Sequence, residues 1–252
     1  MAFDVPADAY ARFMGRYSEP LATAFIDVVG VRRGQRALDV GCGTGIVTSE
    51  LVERVGAESV TAIDPSAPFL AATRERFPAV DVREGNAEEL PFDDDAFDVV
   101  VAQLVVHFMA DPVRGVREMA RVARPGGVVA ACVWDLFGGG SPLSVFWEAA
   151  TALDPKAVDE SGLPGTREGD LPRIFKQAGL RRLEPSTLTV RLTFSSFEEW
   201  WEPYLLGVGP TGDHVAKLDA EQRAALAAGC RERLPAPPFE VPGTAWCVRA
   251  VV

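Results

Sequence analysis

The chain has 252 residues, and 48% of them are hydrophobic, enough for one large core or one domain carrying a small insertion. Its formal charge of −11 opposes contact with a phosphate backbone, and the short basic clusters Arg32-Arg33, Arg181-Arg182 and Arg231 with Arg233 read as solvated helix ends, so no nucleic-acid partner is expected. No charge-free apolar run reaches the roughly 18 residues of a membrane span, and the start MAFDVPADAY lacks the basic-then-apolar pattern of a secretory leader.

In chain order, residues 7–16 and 19–31 read as two helices. Strand-like runs follow at 36–40, 59–63, 80–84, 97–102 and 127–133, with helical stretches at about 45–55, 66–76 and 111–123 between them. The last of these helices ends at Arg124-Pro125-Gly126-Gly127, where Pro and Gly stop a helix and turn the chain. This alternation is the signature of a doubly wound α/β sheet, mostly parallel, with helices on both faces. Beyond it come a loop at 137–142, helices at 143–153 and 170–178, and an alternating strand at 181–192. A segment rich in Trp and Pro runs over 194–242, and 245–252 reads as a final strand. The expected division is a core of 1–193 with 243–252 and a helical insertion at 194–242, placed as a substrate lid.

Four scattered cysteines, Cys42, Cys132, Cys230 and Cys247, form no C-x-x-C pair, and with only His107 and His214 there is no metal-ligand spacing. No metal is expected, and this usage fits a reducing cytoplasm.

The informative stretch is 37–48, ALDVGCGTGIVT, in which a buried strand runs into Gly41-x-Gly43-x-Gly45 and then a helix. Glycines there let backbone approach a ligand, and a helix N-terminus adds free N–H donors. The spacing is neither the dinucleotide G-x-G-x-x-G nor a P-loop. The next strand ends in Ala62-Ile63-Asp64-Pro65-Ser66, which puts Asp64 at a strand tip. There its carboxylate can accept two hydrogen bonds from a ribose diol, or cap the following helix. The third strand leads into Gly85-Asn86-Ala87, where Asn86 faces an adenine edge or simply makes a turn.

Taken together, LDVGCGTG, AIDPS, GNAEELPF, FDVVVAQLVVHF and RPGG span residues 37–134 in an order that resembles the class I S-adenosylmethionine-dependent methyltransferases, in particular the group with the ubiquinone and menaquinone C-methyltransferases. The resemblance implies a seven-stranded Rossmann-like sheet, with an antiparallel seventh strand between the fifth and sixth. The cofactor it implies is S-adenosyl-L-methionine, released as S-adenosyl-L-homocysteine. It also implies roles by position. Asp39, Gly41, Gly43 and Gly45 would border the methionine moiety. Asp64 would hold the ribose hydroxyls, with Pro65 and Ser66 beside the adenine and Asn86 and Ala87 at its edge. Gln103 would lie near the cofactor's amino group. The segment YARFMGRYSE resembles the family's first helix, so Arg16 would pair with the cofactor carboxylate and Tyr10 would pack over the site. The family often carries Asp where this chain has Asn86.

The partner is then a small-molecule methyl acceptor. His107, just past the fourth strand, is a candidate general base because its ordinary pKa is about 6.5. It can equally be a packing histidine, as can His214 in the insertion. Phe197, Trp200, Trp201 and Tyr204 either shape an apolar, ring-accepting pocket or form the insertion's own core. The rival functions are a nicotinamide-dependent oxidoreductase and a catalytically silent binding protein on the same fold.

Overall fold

A computed structural model describes residues 7–252. The reading of residues 1–6 as free of a leader lies outside the described residues. The chain opens with α1 (Ala7–Tyr10), a wide π turn (Ala11–Gly15) and α2 (Arg16–Val29), one continuous rod where two helices were expected. Pro20 lies inside this rod, one turn past the π segment, and Gly30 in the left-handed region ends it.

The core alternates β1 (Ala37–Val40), α3 (Ile46–Val55), β2 (Val60–Asp64), α4 (Ala67–Arg76), β3 (Asp81–Glu84), β4 (Phe97–Gln103), α5 (Pro112–Val122) and β5 (Ala123–Trp134). Then come α6 (Ser144–Leu153), α7 (Asp170–Gln177) and β6 (Arg182–Phe194). Three further helices, α8 (Phe197–Trp201), α9 (Gly209–Ala216) and α10 (Ala220–Arg233), precede β7 (Phe239–Val251). The strand order is β3-β2-β1-β4-β5-β7-β6. β7 runs antiparallel to both its neighbours, and pairs among β1 to β5 are parallel. This is the seven-stranded, mostly parallel sheet that the resemblance implies.

Every residue of β1 is buried, as a central parallel strand covered on both faces must be. Alternate residues feed two cores. Val99, Val101, Ala130 and Cys132 join α2, α3 and the late helices, whereas Val100, Ala102, Val129 and Ala131 join α5 and α7. The residues 124–127 do not separate helix from strand as expected. β5 already pairs at Ala123 with Phe97, and the register resumes at Val128 with Val99, so the Pro-Gly-Gly stretch is spent as an irregularity within the strand. β7 begins at Phe239, earlier than expected, because it pairs along the whole of β6 down to Phe194.

The chain's order reverses about β1, which has β2 on one side and β4 on the other. At such a switch point the loops leaving the strand tips part in opposite directions and open a crevice.

Candidate functional site

That crevice is a cavity of about 310 Å³. Its wall takes Gly41 and Gly43 from the loop after β1, and Asp64, Pro65 and Ser66 from the tip of β2. Asn86 and Ala87 follow β3, Gln103 ends β4, and Tyr10 comes from the N-terminal rod. Nine of the twelve cofactor-site candidates therefore meet around one space.

The glycine loop is held by backbone bonds. Gly41 and Cys42 both donate to the Ile63 carbonyl, at 2.7 and 3.1 Å, which welds the loop to β2. Gly41 has φ +70, and a Cβ there would run into the methyls of Val105, which also lines the cavity. Only glycine satisfies both constraints. Asp64 completes the loop from the other strand. Its Oδ2 accepts from Gly43 N at 2.9 Å and its Oδ1 from Ser66 N at 2.8 Å. Each carboxylate oxygen thus retains acceptor capacity toward the cavity. Burial raises the Asp64 carboxyl's pKa, and the two backbone bonds pull it back down.

Gln103 links this end to the N-terminal rod, with Nε2 donating to Ser18 O at 3.0 Å, while Oε1 is buried without a partner. His107 Nδ1 and Trp134 Nε1 are in the same condition, and both residues line the cavity. Among the described residues four buried side-chain polar atoms lack a partner, and three of them belong to this one wall. Buried polar groups are normally satisfied, so three unsatisfied atoms on residues of one wall single that wall out as a candidate site. The backbone agrees: Leu104, directly after Gln103, has φ +60, a strained value for a side-chain-bearing residue and of the kind that accumulates at functional sites.

Three candidates stand apart from the cavity wall. Asp39 is 1% exposed and accepts from Thr48 Oγ1 at 2.7 Å, because its position on β1 points it at the start of α3. Burial pushes its carboxyl up to about 7, with the Thr48 hydrogen bond opposing. Gly45 is the left-handed N-cap of α3, where a Cβ would meet Phe77 and Thr73, so it serves the fit of α3 on α4. Arg16 donates to Glu199 Oε1 at 2.8 Å and lies over the Phe194 ring, which ties the rod to α8.

His107 lines the cavity, but burial lowers its pKa to about 3. The ordinary value on which its general-base reading rested does not apply, and the imidazole stays neutral throughout the physiological range. His214 packs edge-on against Phe146 and Trp147, outside the cavity. The aromatic cluster resolves as core. Phe197, Trp200, Trp201 and Tyr204 are buried against one another and against Phe13 and Phe146, and none lines the cavity. The insertion instead contributes Val208, Gly209, Pro210 and Thr211.

Sequence reasoning missed Trp134 and Glu160. Trp134 ends β5 at the same sheet edge, so the strand-tip rule could have found it. Glu160 sits in the irregular 154–169 loop, which has no periodicity to read. Trp147 Nε1 donates to its Oε2 at 3.2 Å, and burial pushes its carboxyl up to about 7, against that hydrogen bond and with a smaller push from Asp159.

Residues 38–131 match the model of a methyltransferase domain. A demethylmenaquinone methyltransferase of Bacillus cytotoxicus is 30% identical over 188 residues, covering 64% of this chain and 76% of that protein. The chain belongs to the class I S-adenosylmethionine-dependent methyltransferases. Another member, the chloroplastic 2-methyl-6-phytyl-1,4-hydroquinone methyltransferase 2 of Oryza sativa, is 44% identical over 103 residues, covering 40% of this chain and 29% of that one. Among solved structures of this methyltransferase fold, phosphoethanolamine N-methyltransferase 2 of Haemonchus contortus, in complex with phosphomonomethylethanolamine and S-adenosylhomocysteine, superposes with a TM-score of 0.60 at 19% identity. That likeness covers 97% of this chain and 56% of the other. The chain spans 29 to 52% of the length of the first curated relatives it matches. Among the described residues no helix is long and apolar enough to cross a membrane, and no cluster of His, Cys, Asp or Glu has the makings of a metal site.

Proposed function

We propose that this chain binds S-adenosyl-L-methionine in the cavity at the tips of β1, β2 and β4 and transfers its methyl group to a small, apolar, ring-containing molecule. The observation that carries the reading is the match between the wall's spare acceptors and the cofactor's donors. Asp64 has free lone pairs for a ribose diol, and Gln103 Oε1, a buried acceptor without a partner, suits the α-amino group. Asn86 and Ala87 border the adenine region, and Tyr10 covers it from the rod, with its ring 5.6 Å from Phe69.

The bound sulfonium supplies an activated methyl whose leaving group is a neutral thioether, so no metal is needed. The protein's contribution is alignment and exclusion of water. Gln103 and Asp64 fix the donor at its two ends, and the apolar wall of Phe13, Met14, Leu143 and Val208 holds the acceptor in line. Such positioning is worth roughly 7–11 kcal/mol. In this reading segment 194–242 is a lid, and the support for it is that Val208 to Thr211 line the cavity. The four free cysteines, all buried, fit a cytoplasmic enzyme. The names of the quinol-directed relatives support a ring-containing acceptor.

The test is incubation with methyl-labelled S-adenosylmethionine and a series of alkylated hydroquinones, with S-adenosylhomocysteine followed by chromatography. Acceptor-dependent release supports the reading. Binding of the donor with no release in the presence of any acceptor contradicts transfer.

A further inference from the structure

Two polar groups in the cavity wall have no part in the cofactor reading, Glu160 and Trp134. Glu160 is 5% exposed and lines the wall. Trp147 holds one of its carboxyl oxygens, Oε2, and no hydrogen bond engages Oε1 among the described residues. The loop around it is rigidly tied: Ser161 N and Oγ both donate to Asp159, and the Thr166 hydroxyl lies 2.9 and 2.7 Å from the carbonyls of Ser161 and Leu163. Trp134, in the same wall, has a buried indole N–H with no acceptor. The same wall carries the apolar Phe13, Met14, Leu143, Val208 and Pro210, and the Thr211 hydroxyl donates back to the Val208 carbonyl at 3.4 Å.

An indole N–H can only donate, and an ionised carboxylate can only accept. The group that answers both at once is a hydroxyl. An ammonium would satisfy Glu160 and leave Trp134 with nothing to donate to. An acceptor with no polar hydrogen would leave Glu160 unanswered.

We propose that Glu160 is a catalytic residue of the acceptor subsite, taking through Oε1 the proton of a hydroxyl on the methyl acceptor while Trp134 Nε1 donates to that oxygen. The proposal rests on the methyltransferase reading above. The O–H bond breaks with its electron pair left on oxygen, in conjugation with the ring, and the proton goes to Glu160. That pair forms the new bond to the methyl carbon, and the methyl–sulfur bond breaks with its pair onto sulfur. If the new bond forms at the conjugated ring carbon, that carbon's own proton leaves afterwards and the hydroxyl is reprotonated, so one proton is released per turnover in either case. A carboxyl whose pKa burial has pushed up to about 7 is a competent acceptor for such a proton near neutrality. The titratable groups facing it are Asp159 on its own loop, Tyr204 from the helical turn Glu202–Leu206, and His214 across Trp147. His107, at about 3, is not poised for the same task.

The experiment uses the full chain loaded with S-adenosylhomocysteine and two probes, 2-methyl-1,4-hydroquinone and its dimethyl ether, titrated by calorimetry under anaerobic conditions. The hydroquinone should bind at least tenfold more tightly than the ether. Glu160→Gln, which keeps an acceptor for Trp147, should shrink that preference severalfold, as should Trp134→Phe. Turnover of the hydroquinone should rise with pH to a plateau above about 7. In Glu160→Gln it should fall about 100-fold and lose that rise, with the KM for S-adenosylmethionine unchanged. Equal affinity for the two probes, binding of neither to the loaded protein, or an unaltered pH profile in Glu160→Gln overturns the proposal and leaves the cofactor reading standing. Failure of S-adenosylhomocysteine itself to bind overturns both.

Discussion

The two halves of the cavity are built on different principles. The cofactor half is made of backbone and strand tips. Gly41 is fixed by its φ and by Val105, Asp64 by two N–H donors, and Gln103 by Ser18. The acceptor half is made of side chains from segments far apart in the chain: the N-terminal rod, β5, the 154–169 loop and the insertion. The first kind of site is repeated wherever the fold is repeated. The second can be rebuilt for a new acceptor without disturbing the sheet. The family model matches residues 38–131, which hold most of the first half and little of the second.

The largest effect is expected on the acceptor side. Trp200 is 2% exposed in the cluster that supports the insertion. Trp200→Ala should cost about 3–5 kcal/mol of stability by denaturant titration, the range for emptying a buried aromatic site. At temperatures where the variant remains folded, its affinity for S-adenosylhomocysteine should be unchanged, because no insertion aromatic touches the cofactor half. A cofactor affinity that falls in parallel would merge the two halves into one unit.

Asp39 probes the foundation of the cofactor half. Its folded pKa, about 7, lies above the ordinary carboxylate value, so the folded state holds its proton more tightly than the unfolded chain. The stability this contributes is fully present below about pH 4 and is lost as pH rises through 7. Asp39→Asn should therefore gain on the wild type by up to about 4 kcal/mol between pH 4 and 8, read from urea midpoints at each pH. Parallel pH curves for the two proteins would mean that Asp39 is not held neutral.

Smaller effects sharpen the picture. Asp64→Ala should weaken S-adenosylhomocysteine binding by about 1–3 kcal/mol, the scale of hydrogen bonds to a charged group, with the Gly43 turn loosened as well. Arg16→Ala should change least. The Arg16–Glu199 pair is about one-third exposed on each side, so it is worth about 0–1 kcal/mol, and cofactor affinity should stay within twofold by calorimetry. A tenfold loss would return Arg16 to the cofactor carboxylate.

Much of the fold was legible because strand and helix periods alternate cleanly through β5, and Gly, Asp and Asn fall at the strand ends where the topology needs them. Gly45 and Asp39 show the limit. Both belong to the glycine motif, yet one packs α3 against Phe77 and the other anchors Thr48. A motif records what a loop requires, and packing is part of that requirement. The insertion's aromatics were ambiguous for the same reason, since a Trp-rich segment suits a core and a pocket equally well. Glu160 was invisible. It lies in an irregular loop, and its partner Trp147 sits on α6, so the pair comes together only in three dimensions.

The most direct test of the central claim is calorimetric titration of the intact protein with S-adenosylhomocysteine and, separately, with NADH. The sulfur nucleoside should bind saturably, one to one, and more weakly in Asp64→Ala, and the dinucleotide should give no saturable heat. Saturable NADH binding, or none of the sulfur nucleoside, would contradict that claim.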